Sequence, residues 1–223
     1  MLLAAGRGER LRPLTDTAPK ALVEVNGVSL LERHLRQLSA AGIVNVVINT
    51  GWLGEKIVER VGSGRQYGLQ VVYSPEYAAL LETGGGVHRA LPLLGTEPFW
   101  VVNADIVCDW PFVVPALAED IDAQLVLVPN PGYRDNGDFS LEAGRVRNGS
   151  VRPYTFSGIA CYRPRFFAGC TQGRFGLAPM LQQAADEGRL SGEVYDGLWA
   201  DIGTPERLAA LSARLQEVGS DGT

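Results

Sequence analysis

Six apolar runs recur along the chain, at residues 1–5, 43–49, 69–73, 99–103, 124–129 and 155–162, and helical patterns fall between several of them. Runs rich in Val, Ile and aromatic residues with helices between them are what a buried, largely parallel sheet with crossover connections requires. The clearest helix covers residues 29–41. Ser29 and Glu32 have the Ser-x-x-Glu capping spacing, Leu31, Leu35 and Leu38 share one face, and Gly42 can close the end. His34 falls in the same apolar arc and reads as a satisfied core or interface histidine. Further helices are expected around Val58, ending at Gly62, over residues 177–187, and from Thr204-Pro205-Glu206. There Thr is the cap, Pro takes the first helical position and Glu meets the positive end of the dipole. Residues 132–153 are polar with Gly and Asn, which predicts hairpins or loops rather than a separate domain. At 223 residues the expectation is one domain over 1–218 and a flexible tail over 219–223.

Composition excludes several functions. The formal net charge is -5, which argues against a general nucleic-acid or membrane-surface binder but not against local cationic sites. Cys108, Cys161 and Cys170 are odd in number and widely spaced, so neither a disulfide framework nor a zinc knuckle is indicated, and buried free thiols are expected. With His34 and His88 the only histidines, neither a His-based nucleophilic triad nor a His-rich metal site is indicated. The start "MLLAAG" is too short and uncharged for a secretory leader, and no run reaches bilayer length, so a cytoplasmic protein is expected.

The first run leads into "LLAAGRGERLRPLTDTAPK". Glycines let a backbone turn sharply and approach a ligand, and successive N–H groups in such a loop hold anions. The loop is not a dinucleotide fingerprint, because Leu11 stands where a third glycine is needed. That removes the basis for an NAD oxidoreductase. It is not a P-loop either, since Gly-x-x-x-x-Gly-Lys-Ser/Thr is absent. Arg10 and Lys20 beside the loop suit a polyphosphate whose charge moves during phosphoryl or nucleotidyl transfer. Arg7 and Arg12 read as surface cations, Arg12 more clearly so.

Two acids end strand-like segments: Asp105 in "VVNAD" and Asp201 in "LWADIGTP". A carboxylate at the carboxyl end of a parallel strand faces the ligand crevice of an open α/β sheet. Two such groups can share Mg²⁺ with phosphate oxygens and water. Asp109 and Asp138 are rival acids.

Together these segments resemble the sugar-1-phosphate nucleotidyltransferases. The likeness rests on Leu3-Ala4-Ala5-Gly6-x-Gly8-x-Arg10-Leu11-x-Pro13-Leu14-Thr15, on Pro19-Lys20, and on "ETGGG", "VNAD", "FSGI" and "DIGTP" in order. Within the family it is strongest to the N-acetylmuramate α-1-phosphate uridylyltransferases, through "INTGWLG", "YSPE" before "LLETGGG", and "TFSGI". Mannose-1-phosphate guanylyltransferases share the core motifs and are the nearest rival.

The resemblance implies a Rossmann-like α/β nucleotide-diphospho-sugar transferase fold with a mixed, mainly parallel sheet. It implies uridylyl transfer from UTP to a sugar 1-phosphate, with Mg²⁺ as cofactor and a monomer or weak homo-oligomer. Arg10 and Lys20 would be catalytic, and Asp105 and Asp201 would hold the metal. The nucleotide would meet Leu3, Ala4, Ala5, Gly6, Gly8, Glu82, Thr83 and Gly84. The sugar phosphate would meet Asn103, Gly137, Asp138, Phe156 and Ser157. The motif begins at Leu3, whereas relatives carry a slightly longer first strand. Where larger relatives have Glu-Lys-Pro this chain has Val151-Arg152-Pro153, and Arg152 or Arg134 is the expected partner of a lactyl carboxylate. A non-catalytic nucleotide-sugar sensor on the same fold would be marked by loss of Arg10, Lys20 or a metal acid, and all are present.

Overall fold

The computed structural model describes residues 1–76, 79–132 and 135–220. The chain divides into two compact units. One takes Leu2–Leu80, Ala104–Pro111 and the segment from Leu198; the other takes Met1, Leu81–Asn103 and Phe112–Gly197. No helix among the described residues is long and apolar enough to cross a membrane.

In the first unit the strands Leu2–Leu3, Asn45–Thr50 and Gln70–Pro75 run parallel, with Leu2 opposite Ile48 and Ile48 opposite Tyr73. Residues 46–50 are buried without alternation, as a strand covered on both faces must be. The helix Leu30–Ala40 starts at the predicted capping box: Glu32 N donates to Ser29 Oγ and Ser29 N donates to Glu32 Oε2, both at 3.2 Å. Burial alone would raise the Glu32 carboxyl. Hydrogen bonds from Arg60, Ser29 and Tyr67 outweigh it and hold the group down to about 2. A short antiparallel pair, Ile106–Cys108 with Trp199–Asp201, sets Asp201 opposite Ile106.

In the second unit the sheet order is Phe99–Asn103, Tyr154–Tyr162, Ala123–Pro129, Leu190–Val194, Arg145–Arg147, Ser140–Glu142. Tyr154–Tyr162 is antiparallel to both neighbours, while Leu190–Val194 is parallel to Ala123–Pro129. The fold is therefore an α/β fold with mixed strand directions. Parallel pairings occur in the first unit and between Leu190–Val194 and Ala123–Pro129. The polar stretch 132–153 contains the hairpin Ser140–Glu142/Arg145–Arg147 within this unit. Phe99, Tyr162, Phe166 and Phe167 pack with ring centroids 5.0–6.4 Å apart.

Several expectations change. The first strand is two residues, because Ala4 and Ala5 leave the ladder to begin the glycine loop. The last helix runs Pro205–Ser220, into the segment expected to be flexible; residues 221–223 lie outside the described ones. Cys108 and Cys161 are buried, and burial pushes their thiols up to about 11 and about 12, but Cys170 is only half-buried.

His34 is buried as expected, at 1 % exposure. Burial lowers its imidazole to about 4, against smaller opposing effects of the Ile106 backbone and the Asp105 charge. The unfolded chain therefore binds the proton more readily than the folded one. The stability this neutral imidazole contributes is fully present above about 6.5 and is lost as pH falls toward 4. Chemical denaturation at pH 7.5 and pH 4.5 should show His34→Leu losing less stability on acidification than the native chain, by about 3 kcal/mol at most. Equal losses would contradict this.

Candidate active site

The glycine loop is fixed from below by two buried polar residues. Ala4 N donates to Asn49 Oδ1 at 2.7 Å, and Asn49 Nδ2 donates to Glu76 Oε1 at 2.8 Å. Trp52 N donates to Ala5 O at 3.2 Å, and a Cβ on Gly51 would stand 2.6 Å from that oxygen, so only glycine allows the approach. Above the loop the space is open: a Cβ on Gly6 would meet nothing within 4 Å. Gly8 has φ +68, and a Cβ there would stand 2.8 Å from Lys20 Cβ, so this glycine lets the Lys20 stem lie against the loop.

Lys20 Nζ lies 2.5 Å from Asp105 Oδ2, its side chain 12 % exposed. Ile202 N donates to Asp105 O at 2.8 Å, which ties the Asp201-Ile202 segment to the other acid's backbone. Leu11, Val107 and Ile202 belong to one buried apolar cluster with Val23, Val25, Leu30 and Leu211. Each of the three sits one or two residues from Arg10, Asp105 or Asp201. Burying these anchors fixes the strand and loop ends that present the charged groups. Arg10 is exposed and has no protein counter-ion among the described residues, whereas Asp201 pairs with Arg207. This unit thus brings Arg10, Lys20, Asp105 and Asp201 onto one scaffold with the loop 3–8.

The other cations separate as surface and structural groups. Arg12 pairs with Asp16 at 2.8 Å with both half-exposed, as expected. Arg7 is not a plain surface cation: its guanidinium lies 4.3 Å from the Trp52 ring centroid. Of the rival acids, Asp109 is exposed and Asp138 accepts from Phe156 N at 2.9 Å.

In the second unit, the side chains of "ETG" serve the segment 173–177. Glu82, at φ +61, takes Arg174 Nε at 2.8 Å, Thr83 Oγ1 accepts from Leu177 N at 2.9 Å, and the Cβ side of Gly84 is filled by the Phe175 ring at 2.5 Å. Ser157 is buried and donates to Val126 O at 2.7 Å, so its hydroxyl secures the strand bulge. Half-buried Phe156 and Asp138 remain side-chain candidates. Gly137 N donates to Arg152 O at 2.7 Å, placing those two together. Arg134 lies outside the described residues.

Residues 1–167 match the model of the MobA-like NTP transferase domain. The chain belongs to this NTP transferase family. An N-acetylmuramate alpha-1-phosphate uridylyltransferase of Neisseria meningitidis serogroup B is 46% identical over 226 residues, covering 96% of each chain. Another from Caulobacter vibrioides is 37% identical, covering 97% of this chain and 96% of that one. A solved structure of a glucose-1-phosphate thymidylyltransferase from Bacillus anthracis superposes with TM-score 0.83 at 20% identity, over 96% of this chain and 93% of that one, and shares the fold.

The geometry gives three motif residues a physical role that spacing alone did not show. Asn49 and Glu76, from "INTG" and "YSPE", form the buried support of the loop. Gly158, from "FSGI", has φ +85, and a Cβ there would stand 2.7 Å from Asn103 Nδ2. A transferase carrying Gly158→Ala should lose about 1–2 kcal/mol to the left-handed backbone. If Asn103 holds the sugar phosphate, its displacement should raise KM for that substrate several-fold. Thermal unfolding and steady-state kinetics check both, and an unchanged KM would remove Asn103 from the substrate site.

Proposed function

We propose that this transferase moves the uridylyl group of UTP to N-acetylmuramate α-1-phosphate, giving UDP-N-acetylmuramate and pyrophosphate. The observation that carries the proposal is the grouping of Arg10, Lys20, Asp105 and Asp201 around a backbone loop open above Gly6. The full-length likeness to two named uridylyltransferases supports the substrate pair.

The chemistry requires no protein nucleophile. A phosphate oxygen of the sugar 1-phosphate attacks the α-phosphorus, the bond to the β-phosphate oxygen breaks, and pyrophosphate leaves with the electron pair. What the protein must supply is position and opposite charge. Lys20, held by Asp105 and the open side of Gly8, would sit at the α-phosphate and the incoming phosphate. Arg10, exposed and unpaired, would take the departing pyrophosphate. Asp105 and Asp201 are hard oxygen donors at the pairing of Ile106–Cys108 with Trp199–Asp201, which fits Mg²⁺. Bound there, Mg²⁺ would neutralise phosphate charge during transfer. The loop 3–8 and the backbone of Glu82, Thr83 and Gly84 are assigned to the nucleotide. Asn103, Gly137, Asp138 and Phe156 are assigned to the sugar. Arg152 is assigned to the lactyl carboxylate, because its Nε is buried without a partner among the described residues. We further assign residues 1–218 to one catalytic domain.

Mass analysis of a reaction of the purified protein with UTP, Mg²⁺ and N-acetylmuramate α-1-phosphate tests this. UDP-N-acetylmuramate with equimolar pyrophosphate is expected. Pyrophosphate without a nucleotide sugar would mean hydrolysis and contradict the proposal.

A further inference from the structure

Arg207 was not marked by any sequence motif, yet it stands at the candidate metal acid. Its Nη1 pairs with Asp201 Oδ2. The first turn of the last helix fixes it there: Arg207 N faces Thr204 Oγ1 at 3.4 Å, and Leu208 N donates to Thr204 O at 3.1 Å. Gly203 shows what lies around the pair. A Cβ built on it would stand 3.0 Å from Arg207 Nη1, 3.4 Å from Arg10 Nη2 and 3.4 Å from Asp201 Oδ2. Two guanidinium groups and one carboxylate therefore lie around a single point beside Gly203.

Two arginines this close repel one another unless anions lie between or beside them. Asp201 supplies one such anion, bound to Arg207. Asp105 is likewise engaged, by Lys20. A divalent cation held by Asp201 would compete with Arg207 for that carboxylate. The guanidinium that loses this partner stays beside Arg10, because its helix is held by Thr204 and by the packing of Leu208 and Leu211 on the apolar cluster.

We propose that Arg207 is a second pyrophosphate-binding arginine: paired with Asp201 until a metal ion takes that carboxylate, then turned with Arg10 to the β- and γ-phosphate end of the nucleotide. Metal binding and phosphate binding are thereby coupled through one side chain. The inference rests on the nucleotidyl-transfer reading above.

The test compares the native protein with Arg207→Gln and Arg207→Lys, using two probes without turnover. Mn²⁺ alone is titrated and followed by electron paramagnetic resonance. Inorganic pyrophosphate with Mg²⁺ is titrated by calorimetry. Circular dichroism verifies the fold of each variant. Arg207→Gln is expected to bind Mn²⁺ several-fold tighter, because the competing cation is gone, and magnesium pyrophosphate about tenfold more weakly, because a charge-assisted contact is gone. Arg207→Lys should return Mn²⁺ affinity toward the native value while restoring pyrophosphate only in part, since an ammonium lacks the planar fork. These opposite shifts are the signature. Affinities that fall together, as lost packing would produce, or a shift in one probe only, would overturn the proposal. A native protein that forms no nucleotide sugar yet shows the opposite shifts would overturn the transfer reading and leave the Arg207 coupling standing.

Discussion

Replacing Lys20 with alanine is expected to lower kcat by about 10²–10³-fold, the usual loss when one preorganised cation or donor is removed from a transfer site. Lys20 is not a mobile surface lysine. Its stem lies where Gly8 lacks a Cβ, and its ammonium is fixed on Asp105 at 2.5 Å. That fixed position is what makes the charge useful as the α-phosphate changes geometry, since little reorganisation is needed during the step. A substitution to arginine should not rescue the rate. The guanidinium is planar and spreads its charge over a fork, so it does not reproduce the compact ammonium that sits 2.5 Å from Asp105 Oδ2. Steady-state kinetics with circular dichroism as a folding control will decide. A Lys20→Ala enzyme within twofold of native kcat would remove Lys20 from the reaction centre.

Asp105→Asn should cost about 10³-fold in kcat and shift the Mg²⁺ requirement to higher concentration. The carboxylate holds Lys20, and in the proposed mechanism it would also be a hard oxygen ligand for Mg²⁺. An amide retains the shape and loses the charge, so both roles weaken together. Because the two residues act as a unit, the double variant Lys20→Ala/Asp105→Asn should be only slightly worse than the poorer single variant. Multiplied losses in the double variant would show that the pair acts independently and that the contact is incidental.

The fold class was readable because its signals are local. Apolar runs without alternation marked the buried strands at 45–50 and 99–103, and the Ser29 and Glu32 spacing marked a helix that does begin with both capping bonds. The strands Ile106–Cys108 and Leu190–Val194 were missed for a physical reason. The first has only three residues, too short for periodicity, and the second carries Ser, Gly and Glu among its five residues. Their strand state is set by the partner they pair with, which sequence spacing does not encode.

At the site, residue types that chemistry requires were legible: glycine for approach, Arg10 and Lys20 for charge, Asp105 and Asp201 at strand ends. Side-chain direction was not. Nothing in "ETGGG" reveals that Glu82, Thr83 and Gly84 turn to Arg174, Leu177 and Phe175, nor that the Ser157 hydroxyl is spent on Val126. Arg207 was invisible because an arginine in the first turn of a helix is ordinary until its neighbours are known. Asn49 and Glu76 were quoted as part of motifs, but their work as a buried brace depends on two segments meeting in space.

We propose that this arrangement selects UTP and N-acetylmuramate α-1-phosphate. The most direct test is kcat/KM from pyrophosphate release with Mg²⁺. UTP, dTTP, GTP and CTP are each paired with the 1-phosphates of N-acetylmuramate, N-acetylglucosamine, glucose and mannose. UTP with N-acetylmuramate α-1-phosphate is expected to dominate the matrix. A maximum at GTP with mannose 1-phosphate would contradict the substrate assignment while retaining the reaction, and no release with any pair would contradict the enzyme itself.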